Sequence, residues 1–185
     1  MRSRRVGPTL SLGAVLVVTL LTWTWGLSLS YEDVSGETRG SLGELRQVAA
    51  NTPLEVGAGF QGRWILAEGF EAPEVDGAWI SSLRAKLIFE VVSDQPPIRA
   101  DLTLVPLLAP ALPTRTVTIS GTADRQITEL RGGGQTISVV LDGSPSQELV
   151  IDCASVDSPL DLGVGSDKRQ LCAKVTQLFV TTESS

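Results

Sequence analysis

The sequence contains no histidine, only two cysteines and few aromatic residues. Histidine is the commonest general base and a frequent metal ligand. Its absence excludes Ser-His-Asp and Cys-His catalytic sites and restricts a zinc site to Cys and carboxylate ligands. The sequence also lacks a recognisable nucleophile motif. We therefore predict a protein that is not an enzyme and that uses no cofactor and no metal.

A long uncharged segment lies near the start of the chain. Arg2, Arg4 and Arg5 precede a run from Val6 to Leu29 that has no charged side chain. About 20 apolar residues suffice for a helix to cross a bilayer, and flanking arginines stay on the cytoplasmic side. The pattern predicts a cytoplasmic tail and one transmembrane helix over residues 1–30. The remaining chain is then expected on the periplasmic side of a bacterial inner membrane.

A cleavable signal peptide is the alternative for this segment. Ser28 and Ser30 stand at the −3 and −1 positions before Tyr31, which a signal peptidase could accept. Against cleavage, the apolar run is longer than a usual signal-peptide core. Trp23 and Trp25 lie near its outer end, where an aromatic belt would hold a retained helix. A retained anchor is the favoured interpretation.

The charge beyond the anchor is strongly acidic. It comprises 12 basic and 21 acidic residues, which gives a net charge of −9. Such a domain is poorly suited to nucleic acid or to an anionic membrane surface. About 150 residues are enough for one domain with a substantial core.

The two cysteines, Cys153 and Cys172, suit a single disulfide if the compartment is oxidising. The alternative is two buried free thiols that act as small hydrophobic side chains.

The segment over residues 31–59 has the composition of a linker with one short helix. Ser41 and Glu44 form a capping-box pattern, and apolar residues follow at helical spacing, which predicts a helix over residues 42–50.

Residues 60–185 consist of short runs rich in Val, Ile, Leu and Thr that are separated by turn residues. Their spacing and period-2 alternation predict an all-β, antiparallel β-sandwich of jelly-roll type. The predicted strands are Arg84–Val92, Ala100–Leu107, Arg115–Ser120, Gln126–Leu130, Thr136–Leu141, Glu148–Asp152 and Ala173–Thr182.

Two ordered motifs flank these strands. The first motif consists of Gly69, Phe70, Pro73, Glu74, Gly77 and Trp79, and the second of Ser158, Pro159, Leu162, Gly163, Asp167 and Arg169. Together they resemble the β-sandwich domain attached to bacterial membrane glycosyltransferases and phosphoglycerol-transferase-like envelope proteins. The resemblance covers about residues 60–180 and implies a jelly-roll-like fold in an envelope setting. It supplies no catalytic site.

Four residues are candidates for ligand binding: Trp64, Trp79, Glu74 and Arg169. An exposed tryptophan face can pack against a sugar ring, although a tryptophan buried between two sheets is the commoner arrangement. Arg169 can instead form a structural pair with Asp167.

The acidic residues of the first motif allow two further hypotheses. Glu71, Glu74 and Asp76 are close enough in sequence to bind calcium, but they lack a full calcium-loop spacing, and a solvated acidic turn is favoured. Paired carboxylates could also hydrolyse glycosides, but the sequence gives no sign of the fixed separation that this requires.

Two functions follow for the chain as a whole. The first is a non-catalytic accessory subunit of a larger inner-membrane complex, in which the sandwich braces the periplasmic face. Its partners would be other membrane proteins and lipid. The alternative is a carbohydrate-binding module in envelope polysaccharide assembly.

Overall fold

The structure, a computed structural model, describes residues 46–183. The chain forms eleven strands and one 3-10 helix within this range. The elements are β1 Gln47–Ala49, β2 Leu54–Glu55, the 3-10 helix Gln61–Ile65, β3 Leu66–Glu68, β4 Ala78–Trp79, β5 Arg84–Val92, β6 Pro97–Pro106, β7 Arg115–Ser120, β8 Arg125–Leu130, β9 Gln135–Val140, β10 Ser146–Cys153 and β11 Ala173–Thr182.

The strands form two sheets that face each other across one core. The first sheet has the order β1-β5-β10-β7-β8, with β3 also paired to β5, and the second has the order β2-β11-β6-β9, with β4 also paired to β11. Every pair is antiparallel except β1 with β5. The predicted all-β sandwich is confirmed for the described residues.

Alternation along the strands explains why they fold this way. In β5, Ala85, Leu87, Phe89 and Val91 are buried, while the residues between them are partly or fully exposed. A strand with this period presents one apolar face, which the opposite sheet must cover. The inward residues of both sheets, including those of β6 and β11, form one continuous hydrophobic core.

The helix predicted over residues 42–50 is wrong where the structure describes it. Gln47–Ala49 instead form β1, which pairs in parallel with residues 90–92 of β5. Val48 is 1% exposed and belongs to the core. Pairing with an open strand edge and burial of Val48 outweigh a weak local helical pattern. β1 and β2 therefore belong to the two sheets, although the sequence places both strands in a linker.

None of the helices within residues 46–183 is long and apolar enough to span a bilayer. The predicted transmembrane helix over residues 1–30 lies outside the described residues.

Candidate functional site

The loops at one end of the sandwich contain most of the polar side chains that the two sequence motifs supply. At this end β5 and β11 begin and β10 and β6 finish, as the pairs Arg84 with Asp152 and Ala173 with Pro106 show. We call it the loop pole, and its main segments are the first loop, residues 69–77, and the closing loop, residues 154–171.

An ion-pair network joins the two loops to β11. One Glu74 oxygen accepts a hydrogen bond from Arg169 at 3.0 Å. Its other oxygen lies 3.0 Å from Lys174 Nζ and accepts a hydrogen bond from Trp79 Nε1 at 3.2 Å. Lys174 also contacts Asp76 at 2.7 Å, and its ammonium lies 4.9 Å from the centre of the Trp79 ring. Both oxygens of Glu74 are therefore occupied by partners within the protein.

The closing loop adds a third acid to this network. Asp167 accepts hydrogen bonds from the Arg169 backbone N–H at 2.9 Å and from the Arg169 guanidinium at 2.6 Å. Arg169 thus bridges an acid of its own loop and Glu74, which lies 95 residues earlier in the chain. The predicted Asp167–Arg169 pair is present, and the same guanidinium ties the closing loop to the first loop.

These contacts shift the pKa values of the acids in one direction. The hydrogen bond from Lys174 lowers the pKa of Glu74, against a smaller opposing effect of burial, and the same ammonium lowers the pKa of Asp76. Hydrogen bonds from Arg169 lower the pKa of Asp167. Burial lowers the pKa of Lys174, but its bonds to Asp76 and Glu74 more than offset this and the net shift is upward. All four groups are charged at neutral pH.

The structure brings together three of the four predicted ligand-binding residues, Trp79, Glu74 and Arg169. Trp64 lies apart, at the end of the 3-10 helix, and the guanidinium of Arg63 stacks 4.3 Å from the centre of its ring. Both tryptophans are half-buried, and neither belongs to the core between the sheets. In each case a cation already covers part of the aromatic face.

A shallow cleft of about 240 Å³ lies beside the network. Arg63 borders one side, and the chain from Leu66 to Pro73 supplies the rest of its lining. Leu66 and Phe70 pack against the core from this position, so the apolar part of the lining is anchored. Glu68, Glu71 and Arg63 place charged groups beside that part.

Backbone contacts fix the shape of the cleft. Gly69 has φ of +79°, and a Cβ at this position would collide with the Arg84 carbonyl, so only glycine allows the chain to pass here. The N–H of Ser81 donates to the Gly69 carbonyl, and the N–H of Glu71 donates to the Trp79 carbonyl, both at 2.9 Å. The cleft wall is therefore tied to β4 and to the ion-pair network.

The closing loop is anchored from inside the domain. Cys153 and Cys172 are joined by a disulfide, with Cα atoms 6.4 Å apart. The buried guanidinium of Arg115 donates to the carbonyls of Leu107 and Ser155 and to the Asp157 carboxylate, at 2.8–3.2 Å. These bonds hold the start of the closing loop against β7.

The ligand-binding residues predicted from the sequence do not include Lys174, Arg63 or Phe70, although Phe70 belongs to the first motif. Lys174 lies at the start of a predicted strand, and only the structure shows that it is 9% exposed and paired with Glu74 and Asp76. Phe70 and Arg63 belong to a segment whose sequence shows neither the period of a helix nor that of a strand. The sequence feature that could have indicated them is that Arg63 is adjacent to Trp64 and Phe70 is adjacent to Glu71.

The acidic residues of the first loop are not arranged as a metal-ion site. Within residues 46–183 no group of three or more His, Cys, Asp or Glu side chains is placed to hold a metal ion. Glu74 and Asp76 instead bind an ammonium group.

Comparison with known proteins gives only distant structural likenesses. No protein-family model and no curated protein matches the sequence. The Cry4Aa toxin of Bacillus thuringiensis is 10% identical over 76% of this chain and 25% of the toxin chain, with a TM-score of 0.46. A CBM36-1 domain of a multidomain xylanase from the Trinervitermes trinervoides hindgut metagenome is 8% identical over 72% of this chain and 98% of that domain, with a TM-score of 0.41. A family 6 carbohydrate-binding module is 7% identical over 75% and 98%, with a TM-score of 0.43. Neither residue roles nor a function are carried over from them.

Proposed function

We propose that the sandwich is a non-catalytic glycan-binding module and that the cleft between Arg63 and Pro73 is its binding site. The observation that carries this proposal is the composition of the cleft, in which apolar side chains such as Leu66 and Phe70 lie beside three charged ones. Binding sites for small molecules typically combine these two features. Of the two functions that the sequence suggests, the cleft favours the carbohydrate-binding module.

A sugar matches this lining group by group. The ring carbons of a pyranose present an apolar face, which the half-buried Phe70 side chain and its apolar neighbours can cover. Hydroxyl groups both donate and accept, so they can pair with the carboxylates of Glu68 and Glu71 and with the guanidinium of Arg63. Arg63 donates to the Ala58 carbonyl through Nη1, and its remaining N–H groups leave it donor capacity for a ligand.

The residues of the ion-pair network have a positioning role in this proposal. Glu74 and Arg169 spend their hydrogen-bonding groups on each other and on Lys174 and Asp167, and they thereby fix the loop that ends in the cleft wall. Trp79 holds the same wall through its carbonyl.

A non-catalytic role agrees with the electrostatics of the loop pole. Hydrolysis of a glycoside uses one carboxylic acid that stays protonated near neutral pH. Glu74, Asp76 and Asp167 have lowered pKa values, because cations contact each of them, so these three acids are not suited to that role. They are suited to holding loops in place.

The setting of the module is part of the proposal and is based on the sequence. The uncharged run over residues 6–29, preceded by three arginines, would anchor the chain in a bacterial inner membrane with the sandwich on the periplasmic side. A glycan-binding domain in that position could guide a polysaccharide during envelope assembly. The accessory-subunit function would add protein partners to this role.

Isothermal titration of the full-length protein in mild detergent with mono- to hexasaccharides tests the proposal. Arg63→Ala and Glu71→Gln should each weaken the binding of mono- and disaccharides about tenfold or more, since each removes a charged partner of a hydroxyl group. Arg131→Ala and Glu129→Gln are the matched controls, because these two residues form an exposed ion pair near the turn between β8 and β9. Both variants should bind as the unchanged protein does. Absence of binding to any saccharide, or equal binding by all four variants, would refute the proposal.

A further inference from the structure

The outer face of the second sheet presents an ordered array of polar and aromatic side chains. Register pairs place Phe179, Asp101 and Ser138 in one row across β11, β6 and β9. The row towards the loop pole consists of Glu55, Gln177, Thr103 and Thr136, and the row on the other side consists of Thr181, Arg99 and Val140. We call these three rows the outer face.

The alternate residues of the same strands show that this array points away from the core. Leu178, Leu102 and Ile137 pair with one another and are buried, as are Val180, Ala100 and Val139. Partners in an antiparallel pair lie on the same side of a sheet, so the rows between these residues all face outwards. Phe179 is half-buried at the centre of this array.

Hydrogen bonds between neighbouring strands hold the polar groups of the outer face in place. The hydroxyls of Thr103 and Thr136 lie 3.0 Å apart, and Gln177 donates to the Glu55 carboxylate at 2.7 Å. Ser138 donates to Asp101 at 2.5 Å. Side chains fixed in this way lose little conformational entropy when a ligand binds.

The outer face continues into the loop pole. In the pairing of β4 with β11, Trp79 lies opposite Lys174, and Lys174 lies opposite Val105 of β6. These residues form a further row next to Gln177 and Thr103. Two aromatic side chains, Trp79 and Phe179, therefore lie along one surface. A bulge in β11 makes the stretch between their positions equal to four residues of β6, which is about 14 Å at roughly 3.4 Å per residue.

The charge of this surface differs from that of the domain. Arg99 and Asp101 form an ion pair at 3.1 Å, and the Glu55 carboxylate is bonded to an amide, so the three rows carry one net negative charge. The chain beyond residue 30 carries −9. A nearly neutral surface with hydroxyl, amide and carboxylate groups around a central aromatic ring complements an uncharged ligand that is rich in hydroxyls.

We propose that the outer face binds an extended, neutral polysaccharide that lies across β11, β6 and β9 and packs a sugar ring on Phe179. This site is separate from the cleft, and its existence does not depend on binding there. It would take a chain of several sugars, whereas the cleft of about 240 Å³ has room only for a short segment.

The dependence of affinity on ligand length tests this proposal. Disaccharides and hexasaccharides of β-1,4-linked glucose, xylose and mannose, together with hexagalacturonate, are titrated into the full-length protein in mild detergent. We expect at least one neutral hexasaccharide to bind about tenfold or more tightly than its disaccharide, and hexagalacturonate to bind more weakly than that hexasaccharide. Phe179→Leu, which preserves an apolar side chain of similar size, should abolish the gain with length. Gln177→Ala should reduce it without touching the core.

Matched variants separate the two sites. Ile127→Ala changes an exposed apolar side chain on the first sheet and should leave every affinity unchanged. Arg63→Ala should weaken the disaccharide and retain the tighter binding of the hexasaccharide through the outer face. Equal affinities for disaccharide and hexasaccharide, or a length gain that survives both Phe179→Leu and Gln177→Ala, would overturn the proposal for the outer face and leave the cleft untouched. Circular dichroism melting curves establish that each variant is folded.

Discussion

Removal of the Cys153–Cys172 disulfide should destabilise the domain by an amount that the loop length sets. The bond closes a loop with a sequence separation of 19 residues. In the chain-entropy model a loop of this size restricts the unfolded chain by about 3 kcal/mol. The double variant Cys153→Ala/Cys172→Ala tests this value, because alanine removes the crosslink without leaving a reactive thiol.

The packing of the two cysteines adds a smaller effect in the same direction. Cys153 is 6% exposed and Cys172 is fully buried, and both belong to the core. Loss of the two sulfur atoms leaves small cavities, so the entropic value is a lower bound for the double variant. A domain of about this size loses roughly 2–4 °C of Tm per kcal/mol, which predicts a decrease of about 6–12 °C.

Thermal and urea unfolding of the full-length protein, followed by circular dichroism, measure both quantities. The single variant Cys153→Ala should lose nearly as much stability as the double variant, since either change breaks the crosslink. A loss below about 1 kcal/mol in the double variant would refute the reasoning from loop closure. It would mean that the closing loop is already restrained in the unfolded chain or that the crosslink strains the native one.

Three further predictions concern the contacts around the closing loop and the network. The contribution of Glu74 to stability should be fully present above the unfolded pKa of about 4.5 and should be lost as the pH falls through its lowered folded pKa. The contribution of Lys174 should be fully present below about 10.5 and should be lost as the pH rises through its raised folded pKa. Urea midpoints from pH 3 to 11 measure both effects, and Glu74→Gln should make the decrease on the acid side shallower. Gly77→Ala should cost about 2 kcal/mol or more in urea unfolding, since φ is +148° and the new Cβ would lie 2.6 Å from a β11 carbonyl oxygen; an unchanged midpoint would contradict this. Arg115→Met should cost about 3 kcal/mol by the same assay, because it leaves buried acceptors unpaired, and Asp157→Asn, which keeps an acceptor oxygen, should cost less than half as much.

The strands were predictable because their signal is local. In Arg84–Val92, Arg115–Ser120 and Ala173–Thr182 the observed bounds equal the predicted ones, since alternation or a continuous apolar run ends where the strand ends. β1 and β2 have only three and two residues and carry no period of their own. Their conformation depends on the open edges of β5 and β11, which a local pattern cannot reveal.

The arrangement of the loop pole could be predicted only in part. The acids and Arg169 were recognisable as polar groups in turns, and their motifs are ordered along the chain. The contact between Glu74 and Arg169 spans 95 residues, and Lys174 reaches Asp76 across 98. Such contacts depend on which strands become neighbours, and the sequence identifies the strands more readily than their order in the sheets.

Electrostatic pairing decides which polar residues of this domain are available to a ligand. Glu74, Arg169 and Lys174 are the most conspicuous charged groups of the loop pole, yet they are saturated by one another and by Asp76 and Asp167. A ligand that took over these groups would have to replace those pairs, and Lys174, whose side chain is 11% exposed, would lose the partners that offset its burial. The proposed glycan sites therefore use other groups, which lie on two neighbouring surfaces, the cleft around Phe70 and the outer face around Phe179. In this proposal the network ties the first loop, the closing loop and β11 together and so positions both surfaces.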